Sequence, residues 1–150
     1  GCAFRMMENC PVIINRNIAL LLILFLLPLA GCSSELKTYP TQGKVVYKDD
    51  GSPFMGKIYF EAVNAPHTRS MATTKADGSF SLSTVREGSG SVEGEQVVRV
   101  DIDMPDSPDF KNRSKVVKLQ YLDFITSPIR VNVEPRNSNF FVIEIERPKN

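Results

Sequence analysis

The sequence predicts an all-β protein: a seven-stranded antiparallel sandwich with Greek-key connections, placed after an N-terminal signal peptide. Three observations predict it. A charge-free apolar run over residues 18–30 ends in small side chains, the order of a secretory leader. Beyond residue 42 the apolar side chains recur at every second position, the period of a half-buried strand. Turn residues, among them Asp49-Asp50-Gly51, Asn64-Ala65-Pro66 and Ala76-Asp77-Gly78, then punctuate that alternation at the spacing of a sandwich.

The leader comes first. Met6 or Met7 is the expected start, with Gly1 to Arg5 lying upstream of it. A polar stretch carrying Arg16 precedes the apolar run, and Pro28 and Gly31 close it. A membrane-spanning helix needs about 20 predominantly apolar residues. This run stops short of that length, so residues 1–31 read as a signal peptide, with a permanent transmembrane helix as the alternative.

Leu29-Ala30-Gly31-Cys32 resembles the lipobox of bacterial lipoproteins. The resemblance implies that Cys32 takes a diacylglyceryl group on sulfur and becomes the new N-terminus after cleavage. The residue types suit that chemistry: a thiolate is a competent nucleophile, and small side chains at Ala30 and Gly31 let an extended backbone enter a narrow peptidase cleft. The alternative for Cys32 is a buried cysteine packed as a small hydrophobe. Acyl chains such as palmitate contribute about 0.8 kcal/mol per buried CH₂, and two or more hold stably where one does not. The covalent lipid on Cys32 is then the one prosthetic group expected, with no other cofactor. Ser33, in place of Asp, favours the outer membrane in the two-membrane sorting pattern. The expected location is the cell envelope, facing the periplasm or the cell surface. Cys2 and Cys10 precede the cleavage point, so a mature chain keeps only Cys32 and forms neither an intramolecular disulfide nor a cysteine metal site.

The chain beyond the leader has the length of one ordinary domain. Losing Arg5, Arg16 and Glu8 from eighteen basic and seventeen acidic residues leaves it formally neutral. Without a Lys/Arg cluster the chain is not expected to bind nucleic acid, and it has no polybasic second anchor for anionic lipid. Residues 32–42 read as a lipidated tether, 43–147 as the sandwich and 148–150 as a tail.

The strands come in order. Residues 43–48 place Val45 and Tyr47 on one face and end at Asp49-Asp50-Gly51-Ser52-Pro53. Residues 57–63 set Ile58, Phe60 and Ala62 against Lys57, Tyr59 and Glu61. Residues 71–74 and 79–84 read as a hairpin around Asp77-Gly78, with Phe80 and Leu82 inward. A Gly/Ser-rich loop over 87–94 leads to Val98, Val100 and Ile102, which alternate with Arg99, Asp101 and Asp103. Residues 109–124 show no clear period, and no window gives a convincing helix. Ile129, Val131 and Val133 make a sixth strand, and Phe141, Ile143 and Ile145 a seventh.

Gly43-Lys44-Val45-Val46-Tyr47, Gly51-Ser52-Pro53, Gly56 and Ile58-Tyr59-Phe60 together resemble the opening of carboxypeptidase-regulatory-like, or transthyretin-like, β-sandwich domains. The likeness continues through Thr73-Thr74-Lys75-Ala76-Asp77-Gly78-Ser79-Phe80, the glycine loop, Ser127-Pro128-Ile129 and Asn139-Phe140. It departs from the pattern at Lys57, where a small residue is usual, and at Gln96, where an aromatic is usual. It implies an immunoglobulin-like or prealbumin-like sandwich with a non-catalytic accessory, adhesion or scaffold role, and it supplies no binding site.

Candidate chemistry is sparse. His67, the one histidine, sits beside Pro66 in a predicted loop without a nucleophile motif, and reads as a surface residue. Asp101, Asp103, Asp106 and Asp109 are weak candidates for a Ca²⁺ site, although their spacing is not that of an EF-hand and a solvated strand face accounts for them as well. Tyr47, Tyr59 and Tyr121 offer flat faces for a sugar ring, against the commoner role of strand aromatics in packing. Two classes of function remain. The first is a membrane-anchored, non-enzymatic interaction or structural module with an envelope protein or glycan as partner. The alternative is a Ca²⁺- or carbohydrate-binding accessory protein, and an enzyme is a weaker third.

Overall fold

A computed structural model of the chain describes residues 31, 34–102 and 112–149. The chain divides into two compact units, residues 1–34 and 35–150. The strands lie in the second: β1 (Thr41–Tyr47), β2 (Lys57–Ala62), β3 (Arg69–Thr73), β4 (Ser79–Ser81), β5 (Gly94–Asp101), β6 (Arg130–Val133) and β7 (Asn139–Ile145). They form a three-stranded sheet in the order β4-β1-β7 and a four-stranded sheet in the order β3-β2-β5-β6. Among the described residues no helix is long and apolar enough to cross a membrane.

The period-two patterns decide which side of each strand is dry. Val45 and Tyr47 on β1, Ile58 and Phe60 on β2, Val98 and Val100 on β5, and Ile143 and Ile145 on β7 are buried in one cluster between the sheets. Phe60 of the four-stranded sheet lies 6.1 Å, ring centre to ring centre, from Phe80 and 6.2 Å from Phe141, both of the three-stranded sheet. That separation is an ordinary aromatic contact, so a single ring joins the two sheets. Gly43 makes the close approach at this point possible. A Cβ there would overlap the Phe141 carbonyl oxygen and the Phe80 ring.

The all-antiparallel expectation is corrected. β1 and β7 run parallel, Thr41 opposite Asn139 through Tyr47 opposite Ile145. A parallel pair needs a long crossover, and here the whole of the intervening domain supplies it. Period-two burial is the same in parallel and antiparallel strands, so the pattern alone does not tell them apart.

The hairpin around Asp77-Gly78 is also corrected. The turn itself forms: Gly78 N–H donates to Lys75 O and Lys75 N–H to Ser79 O, while Asp77 accepts from the Ser79 backbone and hydroxyl. Its two arms then part into different sheets, β3 pairing with β2 and β4 with β1. Only Met71 and Ser83 exchange backbone hydrogen bonds across the gap.

The unreadable stretch contains a short helix, α1 (Arg113–Val116), and a 3₁₀ turn (Leu119–Leu122), against the expectation of no helix. Each is a single turn, too short for a 3.6-residue period to register in the sequence. Val117 and Tyr121, in and beside these turns, close one side of the core.

Two buried polar side chains pin the connections. Asn139 exchanges two hydrogen bonds of 3.0 Å with the backbone of Glu134, closing the turn between β6 and β7. Thr74 Oγ1 accepts from Gly56 N–H and donates to Phe54 O, each at 2.9 Å, which fastens the approach to β2.

Candidate functional site

Leu29, Ala30 and Cys32 of the lipobox, and the rest of the leader, lie outside the described residues; Gly31 is exposed. Residues 34–37 are exposed and without regular structure. The chain enters the domain at Tyr39, which exchanges backbone hydrogen bonds with Ser91 at 2.8 and 3.0 Å. Gly90 allows that entry: its φ is +85°, and a Cβ there would overlap the Tyr39 carbonyl. Lys37 lies over the Tyr39 ring at 5.6 Å. A cleft beside this entry is lined by Leu36, Lys37, Ala65, Thr68, Val92 and Glu93.

At the opposite end of β1, charges gather. The Arg147 guanidinium lies 3.7 Å from the centre of the Tyr47 ring, donates to Asp49 at 2.6 and 2.8 Å, and reaches the Ser52 hydroxyl at 2.9 Å. The Asp50 carboxyl is held down to about 2, chiefly by hydrogen bonds from the Ser52 hydroxyl and backbone N–H, with Arg147 adding to them. Beside it Lys118 meets Glu146 at 2.5 Å, and the Tyr121 hydroxyl donates to the same carboxylate at 3.2 Å. The ammonium group holds Glu146 below the usual carboxylate range, and Glu146 raises Lys118 in return. A cleft lined by Lys48, Asp49, Lys118, Glu146, Arg147 and Lys149 carries more cations than carboxylates.

On the outer face of the four-stranded sheet, Arg99 lies 4.1 Å from the Tyr59 ring centre and 5.1 Å from that of Phe124. Arg69 covers the same Phe124 ring at 5.1 Å and pairs with Glu61 at 2.5 Å. Tyr59 is therefore covered on one side by Arg99, while Tyr47 and Tyr121 are both buried. None of the three presents an open platform to a sugar ring.

Of the Ca²⁺ candidates, Asp103, Asp106 and Asp109 lie outside the described residues. Asp101 stands between Arg113 at 3.3 Å and Arg99 at 3.8 Å, so its charge is met by two cations. Among the described residues no three His, Cys, Asp or Glu side chains gather as a metal site would require. His67 is exposed on the turn between β2 and β3, with a left-handed backbone at φ 75°. Gln96 replaces an expected aromatic with a fully buried amide, which donates to Val92 O at 3.1 Å and Gly94 O at 3.3 Å.

Sequence reasoning missed the Tyr59, Arg99, Phe124 and Arg69 stack, because Phe124 comes from the stretch without a period. It also missed the outer face of β7, where Phe140 and Val142 are 60% and 58% exposed. The signal was present: four successive apolar residues, Phe140, Phe141, Val142 and Ile143, make both faces of one strand apolar.

No family profile matches the chain, and no curated protein matches it. Two solved structures are similar in shape. One is BcpA, the major pilin subunit of Bacillus cereus, with a TM-score of 0.44 and 10% identity over 75% of this chain and 31% of the pilin. The other is a 9R-lipoxygenase from Cyanothece PCC8801, with a TM-score of 0.42 and 12% identity over 74% of this chain and 17% of the enzyme. The chain spans less than a third of either protein.

Proposed function

We propose that the protein is a lipid-anchored, non-catalytic interaction or structural module of the bacterial cell envelope. The observation that carries this reading is the order of Leu29-Ala30-Gly31-Cys32, a short exposed tether, and a β-sandwich that begins within ten residues of the cysteine. In this reading Cys32 carries the lipid, with palmitate among its acyl chains, and the domain of residues 43–147 is a carboxypeptidase-regulatory-like sandwich of Greek-key connection. Ser33 directs it to the outer membrane, facing the periplasm or the surface. Its partner is an envelope protein or glycan. The tether, at most about 3.5 Å per residue when extended, holds the domain close to the bilayer.

Replacing Cys32 by Ser tests the anchor, because a hydroxyl does not substitute for the thiolate. The expected result is a protein that keeps its leader or is released, with a mass lacking acyl chains. Unchanged membrane fractionation and unchanged intact mass would overturn it. Against the alternative Ca²⁺-binding role stands the neutralisation of Asp101 by Arg113 and Arg99. A calcium titration that raises the melting temperature would restore that alternative.

A further inference from the structure

Each sheet has two edges, and edges invite pairing with another chain unless they are short, charged or covered. Three of the four are protected. β4 is three residues long, with Ser79 and Ser81 outward. β6 is four residues long and carries Arg130 and Asn132. β3 carries Arg69, and Met71 on its free side is already bridged to Ser83.

The fourth edge is built differently. β7 is seven residues long and, among the described residues, pairs only with β1. Asn139 N–H donates to Pro40 O and Ile145 O accepts from Lys48 N–H, so the odd-numbered residues face β1. By the alternation of a parallel ladder, the N–H and C=O groups of Phe140, Val142 and Glu144 point to the open side. The same residues put Phe140 and Val142 on the outer face, 60% and 58% exposed, with one charge, Glu144, at the far end.

We propose that this edge pairs with the β7 of a second copy of the chain. A two-fold axis at Phe141 makes the strand self-complementary. Phe140 of each copy then faces Val142 of the other, and Glu144 faces Ser138, so no like charges meet. The outward backbone groups of all these residues find partners. The four apolar side chains form one cluster on the outer face, and the two half-buried Phe141 rings meet on the inner face. The two three-stranded sheets become one continuous sheet. This pairing does not depend on the lipid anchor.

Sedimentation velocity and amide hydrogen exchange on the full chain in detergent test it. The expected result is a dimer in which the Phe140, Val142 and Glu144 amides exchange slowly. Val142→Lys brings two ammonium groups to the joint, next to the Lys44 that flanks each Val142 on β1. It should raise the dimer dissociation constant roughly tenfold or more, speed exchange at those amides and leave the melting temperature of the monomer unchanged. A chain that stays monomeric with fast exchange at the three amides overturns the proposal. So does a dimer that withstands Val142→Lys. The exchange measurement on the unmodified chain decides the matter even if the variant misfolds.

Discussion

On the four-stranded sheet, Tyr59, Arg99, Phe124 and Arg69 lie one upon another, so the outer face is roofed by side chains of its own chain. On the three-stranded sheet, Phe140 and Val142 stand open to solvent beside an edge without a partner among the described residues. The difference arises from connectivity. The irregular stretch after β5 contributes Phe124 to the four-stranded sheet, while β7 closes its own sheet and leads directly into the charged pair Glu146-Arg147. An outer face that a chain covers for itself contributes to stability, whereas one it leaves bare is available for contact.

The sharpest way to break that contrast is to remove what the sheets share. Phe60→Ala deletes the ring that meets both Phe80 and Phe141 and leaves a cavity at the centre of the sandwich. The expected loss is about 3–5 kcal/mol in denaturant unfolding, with both sheets melting in one transition. Two separated transitions would mean that the sheets fold independently, and the contrast between them would then be one between separate units.

A smaller effect probes the roofed face alone. Arg99→Ala removes the cation from between Tyr59 and Phe124, and Asp101 keeps Arg113 as its partner at 3.3 Å. The cost should be about 1–2 kcal/mol, and Phe124 and its turn should become more accessible to proteolysis. The matching change on the bare face, Val142→Lys, should cost the folded monomer less than about 0.5 kcal/mol. Equal costs on the two faces would remove the distinction.

Much of this architecture is legible in the amino acids, and the part that is not has physical causes. Val45, Ile58, Phe60, Val98, Ile143 and Ile145 announce the dry side of their strands because each neighbour is polar or turned outward. Phe54 is nearly as buried yet lies between strands, where no period marks it. Tyr121, read as a possible sugar platform, is in the core because a single 3₁₀ turn aims it there. The parallel partnership of β1 and β7 joins residues nearly a hundred positions apart, and nothing local in either strand encodes its direction. The candidate Ca²⁺ end was legible as acidic, but Asp101 is taken by arginines from β5 and α1 that only the fold brings near.

The smallest expected effect separates the two sheets by their charges. On the roofed face, Arg69 and Arg99 combine ion pairing with ring contact; at the end of the three-stranded sheet, Asp50 relies on hydrogen bonds from Ser52 and on Arg147. Its folded pKa of about 2 lies below the ordinary value of 3.8, so the carboxylate binds its proton more weakly in the native state than in the unfolded chain. Its contribution is therefore fully present above pH 3.8 and is lost as the pH falls through about 2. Asp50→Asn keeps an oxygen to accept from Ser52 but has no proton to gain. Melting temperatures of the two proteins should differ slightly at neutral pH, in favour of Asp50, and converge across that acid range. Parallel curves would show that the turn after β1 holds its shape without the charge, leaving the contacts of Arg147 with Asp49 and Tyr47 to fasten that end of the sheet.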